Sequence, residues 1–238
     1  MKDSQGFSLV ELAVVLVIVG LLLGGLLMPL SAQMDVRGYQ DTSKRLEEAK
    51  EAIIGFAMAN GRLPCPASST SLGIEDPGGG GDCNHDYDGF LPAATLGLSN
   101  VDGGGYAMDG WSGNSVNRIR YAVTTANASA FTTPGGMRGI GMATLAPALR
   151  VCTSGSGVTA TTCGTATSLT TTAVAVIFSA GKNASTGGTG TDESKNYDDD
   201  QVFVSHEPVP GANEFDDSVT WISPNLLYSR MVAAGQLP

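Results

Sequence analysis

The longest apolar stretch of the chain lies close to its beginning. Between Phe7 and Leu30 the only polar side chains are those of Ser8 and Glu11. At about 1.5 Å per residue, a helix over this stretch is about 36 Å long, which is enough to cross the roughly 30 Å hydrocarbon core of a bilayer. The pattern therefore predicts a membrane-spanning helix over residues 7–30.

Three interpretations of this segment are open: a cleaved secretory signal peptide, a plain uncleaved anchor, and a helix in which Glu11 has a specific role. The apolar run is too long for a signal peptide, and no small-x-small site follows it cleanly. A carboxylate in a membrane helix costs about 2.5–3.5 kcal/mol and suggests function. The segment contains no Lys or Arg, but cleavage after Gly6 would leave a free cationic amine on Phe7.

A second helical pattern follows the apolar stretch, with one apolar face and one charged face. We predict that residues 31–60 continue the N-terminal helix as its amphipathic half. The apolar positions recur at three- and four-residue spacing: Leu46, Ala49, Ile53, Phe56 and Ala57.

After residue 60 the pattern changes to short β-type runs between turns rich in glycine and proline. Residues 180–200 read as a long loop, and Ser223 followed by Pro224 predicts the start of a short helix. We therefore expect an α+β head over residues 61–238, with a small antiparallel sheet packed on the long helix. The candidate strands are Arg118–Thr124, Ile140–Leu145, Ala173–Ser179, Gln201–Ser205 and Val219–Ile222.

The charge balance narrows the possible functions. Lys and Arg number 13 against 23 Asp and Glu, so the formal net charge is -10. With so few cations the chain cannot neutralise many phosphates, which argues against a nucleic-acid partner. The sequence has no Walker A, G-x-S-x-G or H-E-x-x-H motif. We therefore expect no enzymatic activity.

The four cysteines fall into two local pairs, Cys65 with Cys83 and Cys152 with Cys163. Their even number and the absence of C-x-x-C favour two disulfides in an exported head. Proximity along the chain favours these pairs, although four cysteines allow three connectivities.

A short acidic segment is a candidate calcium site. Asn84, Asp86 and Asp88 alternate before Gly89, which matches the opening of an EF-hand-type loop. The match stops there, because Thr95 stands where such a loop carries its last glutamate. A solvated acidic turn is the alternative.

The first thirty residues resemble the signal of type IV prepilins and type II secretion pseudopilins. A short polar leader ends in Gly6, Phe7 follows, and Glu11 is the fifth residue from Phe7. The resemblance implies removal of residues 1–6 by a prepilin peptidase and N-methylation of Phe7. It also implies that Glu11 pairs with a neighbouring subunit's N-terminus during filament assembly.

The same resemblance implies a pilin-like fold, a single-pass location in the inner membrane and a periplasmic head. Its expected partners are further copies in a helical filament and other pilins or pseudopilins. The choice between pilus and secretion pseudopilus stays open. The alternative is a minor, non-polymerising membrane-anchored module that binds a ligand or surface through its large loops.

Major pseudopilins carry calcium in a C-terminal loop, and this chain is acidic in that region. No motif match assigns individual ligands. The acidic residues available are Asp192, Glu193, Asp198, Asp199, Asp200, Asp216 and Asp217.

Overall fold

The computed structural model describes residues 8–111, 115–186, 190–211 and 213–238. The chain divides into two units, Met1–Gly38 and Tyr39–Pro238. Gly6 and Phe7 lie outside the described residues. The predicted boundaries after residues 6, 30 and 60 stay predictions.

One long helix, α1, runs from Leu9 to Asn60. Within the second unit it buries Leu46, Ala49, Ile53 and Ala57, as the apolar spacing predicted, whereas Phe56 is only half-buried. Gly61 ends the helix with a φ of 71°, and its N–H bonds the carbonyl of Ala57. This left-handed cap is easily adopted by glycine.

Within the described ranges, no helix has both the length and the apolar character required to span a membrane.

The head contains two three-stranded sheets where the sequence analysis predicted one antiparallel sheet. The first sheet is antiparallel and the second is mixed, because one of its pairings is parallel. The strands are β1 (Arg120–Val123), β2 (Leu149–Cys152), β3 (Ser168–Ala173), β4 (Ala175–Ser179), β5 (Val202–Val204) and β6 (Ser218–Ile222). Their spatial orders are β1-β4-β6 and β3-β2-β5.

Strand β4 occupies the centre of the head and is buried along its whole length. Ala175 and Ile177 share a core cluster with Ile53 of α1. Val176 and Phe178 point to the other face and share a second cluster with residues of β2 and β5. The continuous apolar run of β4 thus reflects a strand covered on both faces.

Short helices complete the head. They are α2 (Ala93–Leu96), α3 (Ala126–Ser129), α4 (Gly136–Ile140), α5 (Thr191–Asn196) and α6 (Pro224–Ala233), with 3₁₀ turns at Ser115–Asn117 and Ala184–Thr186. Helix α6 begins as predicted, because the Ser223 side chain accepts a hydrogen bond from the Leu226 N–H.

Two sequence predictions about elements are wrong. The candidate strand Ile140–Leu145 is the end of α4 followed by a turn, because Gly139 and Gly141 bond back to residues 135 and 137. The stretch 180–200, predicted to be a loop, contains α5.

Candidate functional site

Glu11 lies exposed in the first turn of α1, where its carboxylate caps its own helix. Its Oε2 accepts a hydrogen bond from the Ser8 N–H at 2.9 Å. In return, Ser8 Oγ accepts one from the Glu11 N–H at 3.2 Å. This reciprocal pair is a capping box, which satisfies two helix donors that would otherwise lack partners.

This local role of Glu11 was not predicted from the sequence. The S-x-x-E spacing of Ser8 and Glu11 directly before an apolar helix is the pattern that indicates a capping box. The carboxylate can therefore stabilise the start of α1 within a single chain. Pairing of Glu11 with a neighbour's Phe7 amine stays a prediction.

Both disulfides occur with the pairing that proximity favoured. Cys65 bonds Cys83, and Cys152 bonds Cys163. The first closes the turn-rich segment after α1, and the second holds a Thr- and Gly-rich loop to the end of β2.

The side chains of the acidic segment at residues 84–88 form separate contacts in the structure. Asn84 is exposed and donates to an Asp76 carboxylate oxygen at 2.8 Å, whereas Asp88 contacts the His85 ring at 3.0 Å. Burial, followed by the negative charges of Asp82, Asp199 and Asp88, raises the pKa of Asp86 to about 6. Calcium binding by Asn84, Asp86 and Asp88 stays a prediction.

A second acidic site lies where the first sheet ends. Strands β4 and β6 are antiparallel with Ser179 opposite Ser218, so the residues that leave β4 lie beside Asp216 and Asp217, which enter β6. Helix α5 adds Glu193. One carboxylate oxygen from each of these three acids lies within 4.8 Å of the other two. We call this group the carboxylate triad.

All three members of the triad are buried. Glu193 is 0% exposed, and Asp216 and Asp217 are each 5% exposed. Groups of like charge are rarely buried together unless a cation or a proton joins them. The triad therefore requires a source of positive charge.

Each carboxylate in the triad has one oxygen with hydrogen-bond donors. Glu193 Oε1 accepts from the Asn183 side chain at 2.9 Å and the Asp216 N–H at 3.0 Å. Asp216 Oδ2 accepts from the N–H groups of Lys182 and Asn183 at 3.0 and 3.1 Å. Asn196 donates to Asp217 Oδ2 at 2.7 Å. These bonds fix the orientation of the three groups.

The other oxygen of each carboxylate is left without a partner. Glu193 Oε2, Asp216 Oδ1 and Asp217 Oδ1 are buried and have no donor among the described residues. Leaving a buried polar atom unbonded costs about 1–3 kcal/mol, and more for a charged group. Three such oxygens in one group are therefore a strong indication that something binds there.

The pKa values of Asp216 and Asp217 are raised because their negative charges are buried. Burial, followed by the charges of Glu193 and Asp216, raises the pKa of Asp217 to about 8 despite the hydrogen bond from Asn196. Burial also raises the pKa of Asp216 to about 6. In the absence of a cation, Asp217 is thus largely protonated at neutral pH.

The backbone beside the triad leaves no room for larger residues. Gly181 has a φ of 65°, and a Cβ on it would lie 1.9 Å from Asp216 Oδ1. Asn196 supports the site from the other side, because its amide bonds both the N–H and the carbonyl of Val204 in β5. The triad is thus held by two sheets and α5.

The chemistry of the triad fits a hard divalent cation. Calcium is bound by carboxylate, amide and carbonyl oxygens, and three convergent carboxylates supply the charge. Of the seven acidic residues considered in this region, the structure brings together Glu193, Asp216 and Asp217. The sequence alone did not select these three, because Glu193 lies on α5, 23 residues before Asp216, and meets the other two only in the folded head.

Comparison with known families assigns a class to the N-terminal segment. Residues 1–27 match the prokaryotic N-terminal methylation motif, which is the prepilin-type signal of type IV pilins and pseudopilins. The motif supports a subunit of the type IV pilin or pseudopilin class. Neither the curated proteins nor the solved structures gave a match to the chain.

Proposed function

We propose that the protein is a structural subunit, either a pilin or a pseudopilin, that assembles into a filament through its N-terminal helix. The observation that carries this proposal is the methylation motif over residues 1–27. Prepilin peptidase cleaves after Gly6, the new N-terminus at Phe7 is methylated, and the apolar run to Leu30 anchors the subunit in the inner membrane. The head lies in the periplasm until the helix enters the filament core.

Processing is tested by mass spectrometry of the full chain expressed with prepilin peptidase, or with a catalytically inactive peptidase as control. We expect loss of residues 1–6 and one added methyl group on Phe7, only with the active enzyme. An intact N-terminus in both samples would contradict the proposal.

The role of Glu11 is tested by two substitutions that separate charge from capping. Glu11→Gln removes the charge but keeps an acceptor for the Ser8 N–H, whereas Glu11→Ala removes both. If Glu11 pairs with a neighbouring amine, both variants are processed and neither assembles. If only Glu11→Ala fails to assemble, the capping box explains the requirement.

The alternative function, a non-polymerising membrane-anchored binding module, predicts a different result. The wild-type chain is then cleaved and methylated but stays monomeric under conditions that support assembly. The large loops of the head favour this alternative, and the presence of Glu11 favours the filament.

We also propose that the carboxylate triad binds calcium. The supporting observation is the set of three buried oxygens without donors, one on each of Glu193, Asp216 and Asp217. When bound, the divalent cation offsets two of the three negative charges of the triad and joins α5 to the start of β6. Its role in the head is therefore structural.

Calcium binding is measured by equilibrium dialysis of the full chain in detergent at pH 7.5. Glu193→Gln is the test variant, and Asp86→Asn tests the candidate site at residues 84–88. We expect Glu193→Gln to lose the bound ion and Asp86→Asn to keep it. If Asp86→Asn loses the bound ion and Glu193→Gln keeps it, the calcium site lies at residues 84–88. If the wild type binds no calcium, both assignments are wrong.

A further inference from the structure

Two adjoining surfaces lie along the amphipathic half of α1. One is an open face of α1 alone, and the other is a groove of about 390 Å³ between α1, the segment after β5 and strand β6. They share Tyr39, Ser43 and Glu47. We call the combined surface the acidic trough, because its titratable lining is mostly acidic: Glu47, Glu48, Glu51, Glu207 and Asp217, with Lys44 and His206.

Part of the charge in the acidic trough has no counterion nearby. Glu47 pairs with Lys50 at 2.7 Å, and Glu48 lies 3.8 Å from Lys44. No ion pair of Glu51 or Glu207 occurs within the part of the chain that the structure describes. A surface on which one sign of charge predominates attracts a partner of the opposite sign.

Exposed positive charge lies elsewhere on the head, where α6 ends. The Arg138 guanidinium donates to the carbonyls of Gln236 at 3.0 Å and Gly235 at 2.8 Å. Arg230 lies in the last turn of α6. Both are exposed, and in the described ranges neither forms an ion pair with a carboxylate. We call these two residues the arginine corner.

Among the described residues, no ion pair joins the arginine corner to the acidic trough of the same head. The side chain of Gln236 donates to the Met58 carbonyl at 3.1 Å, so the corner lies beside the last turn of α1. At about 1.5 Å per residue, Met58 is about 17 Å along the helix from Glu47 and about 10 Å from Glu51. The two surfaces are thus offset along α1, and both are available for contact between copies.

We propose that the acidic trough of one copy binds the arginine corner of a second copy. The contact is heterologous, because it joins two different surfaces of the same chain, and repetition of such a contact gives an open helical array. The trough and the corner of one copy are offset by about 10 to 17 Å along α1. The contact therefore displaces each copy along the helix axis relative to the next. This inference rests on the proposed filament function and names the head surfaces that fix its register.

Assembly of charge-reversed full-length chains tests the contact. Glu51→Lys with Glu207→Lys makes the trough basic, and we expect filament yield to fall by about tenfold because like charges then meet. Asp41→Lys, an exposed position of α1 outside the trough, is the matched control and should assemble normally. Adding Arg138→Glu and Arg230→Glu to the trough variant restores opposite charges and should recover the yield.

The contact is overturned if the trough variant assembles like the wild type, or if Asp41→Lys causes an equal loss. Cleavage after Gly6 and methylation of Phe7 are measured in the same samples. Normal processing with filaments insensitive to the reversals overturns only this inference, whereas failure of the wild type to be processed overturns the proposed function.

A cross-link provides a readout that does not depend on filament yield. Ser43→Cys combined with Arg230→Cys places one thiol in the trough and one at the corner. Under mild oxidation we expect a ladder of disulfide-linked multimers from the double variant, and none from Asp41→Cys with Arg230→Cys. When the wild type is processed normally, absence of linked species from the double variant contradicts the inference.

Discussion

Two buried acidic sites in the same head differ in where their positive charge comes from. Arg62 and Glu75 form a two-pronged pair at 2.7 Å, and both are less than 10% exposed. In the carboxylate triad, Glu193, Asp216 and Asp217 are buried equally well, but in the described ranges they form no ion pair with a Lys or Arg side chain. The first site has its cation in the chain, and the second needs a cation or a proton from outside.

This difference separates a structural ion pair from a binding site. Burial opposes the charge of Glu75, but the hydrogen bonds and positive charge of Arg62 outweigh it and hold the pKa of Glu75 below its ordinary value. Burial moves the pKa of Asp217 in the opposite direction, and the negative charges of Glu193 and Asp216 add to this shift. Buried carboxylates are thus informative about function when their partners are missing.

Breaking the Arg62–Glu75 ion pair should have the largest effect on the free energy of unfolding. Arg62→Met leaves the Glu75 charge buried and unpaired, and we expect the free energy of unfolding to fall by about 3–5 kcal/mol. Urea denaturation of the full chain in detergent measures this loss. Arg62→Met combined with Glu75→Leu is the control and should recover most of the stability. A loss below about 1 kcal/mol for the single variant would show that the pair is not a main source of stability.

Removing one charge from the triad should have a smaller effect that depends on calcium. In wild type, calcium at 100 times its dissociation constant should add about 2.7 kcal/mol to the free energy of unfolding. Asp217→Asn should lose this gain and, in chelator at pH 8, should be at least as stable as wild type because a buried like charge is gone. An unchanged calcium response in Asp217→Asn contradicts the assignment.

The two sites should also differ in their response to pH. The raised pKa values of Asp216 and Asp217, about 6 and about 8, mean that the folded state holds protons that the unfolded state releases above about pH 4. In chelator, stability contributed by these protons should therefore fall between about pH 4 and pH 8. Calcium binds the deprotonated groups, so its stabilising effect should grow over the same range.

Thermal melts at pH 5, 6, 7 and 8, with calcium and with chelator, measure this behaviour. Asp217→Asn should flatten the chelator curve. Glu75 contributes in the opposite sense, because its lowered pKa gives stability that is present above its ordinary pKa of 4.5 and is lost as the pH falls. A chelator curve that rises from pH 5 to pH 8 would falsify the assignment of raised pKa values to the triad.

Loss of the uncharged Ser223 cap of α6 should have the smallest effect on the free energy of unfolding. Ser223→Ala removes the side-chain cap of α6, and we expect a loss of about 1 kcal/mol that does not change with calcium or pH. Ser223→Asp, which keeps an acceptor at this position, is the control and should lose little. A calcium-dependent loss in Ser223→Ala would show that α6 is coupled to the triad.

Features specified by neighbouring residues were accessible from the sequence. The amphipathic half of α1, the start of α6 and both disulfide pairs depend on spacings of a few to eighteen residues. The apolar run at 173–179 was similarly informative, because β4 is buried on both faces and contains few polar residues.

Features that depend on distant partners were not accessible. Strand β3 is mostly exposed and rich in threonine, so it lacks the alternating pattern of a half-buried strand. The apolar residues at 140–145 resembled a strand, but their glycines form helix and turn bonds instead. The carboxylate triad joins Glu193 of α5 to residues 216–217 at the start of β6, which only the fold brings together.

The contact between Gln236 and the end of α1 has a consequence for the order of folding. The carbonyl of Met58 receives its side-chain donor from a residue 178 positions later in the chain. The last turn of α1 therefore lacks this donor until residue 236 has been synthesised. Contacts of such long sequence separation slow folding, so this end of the helix gains the donor only when the head closes around it.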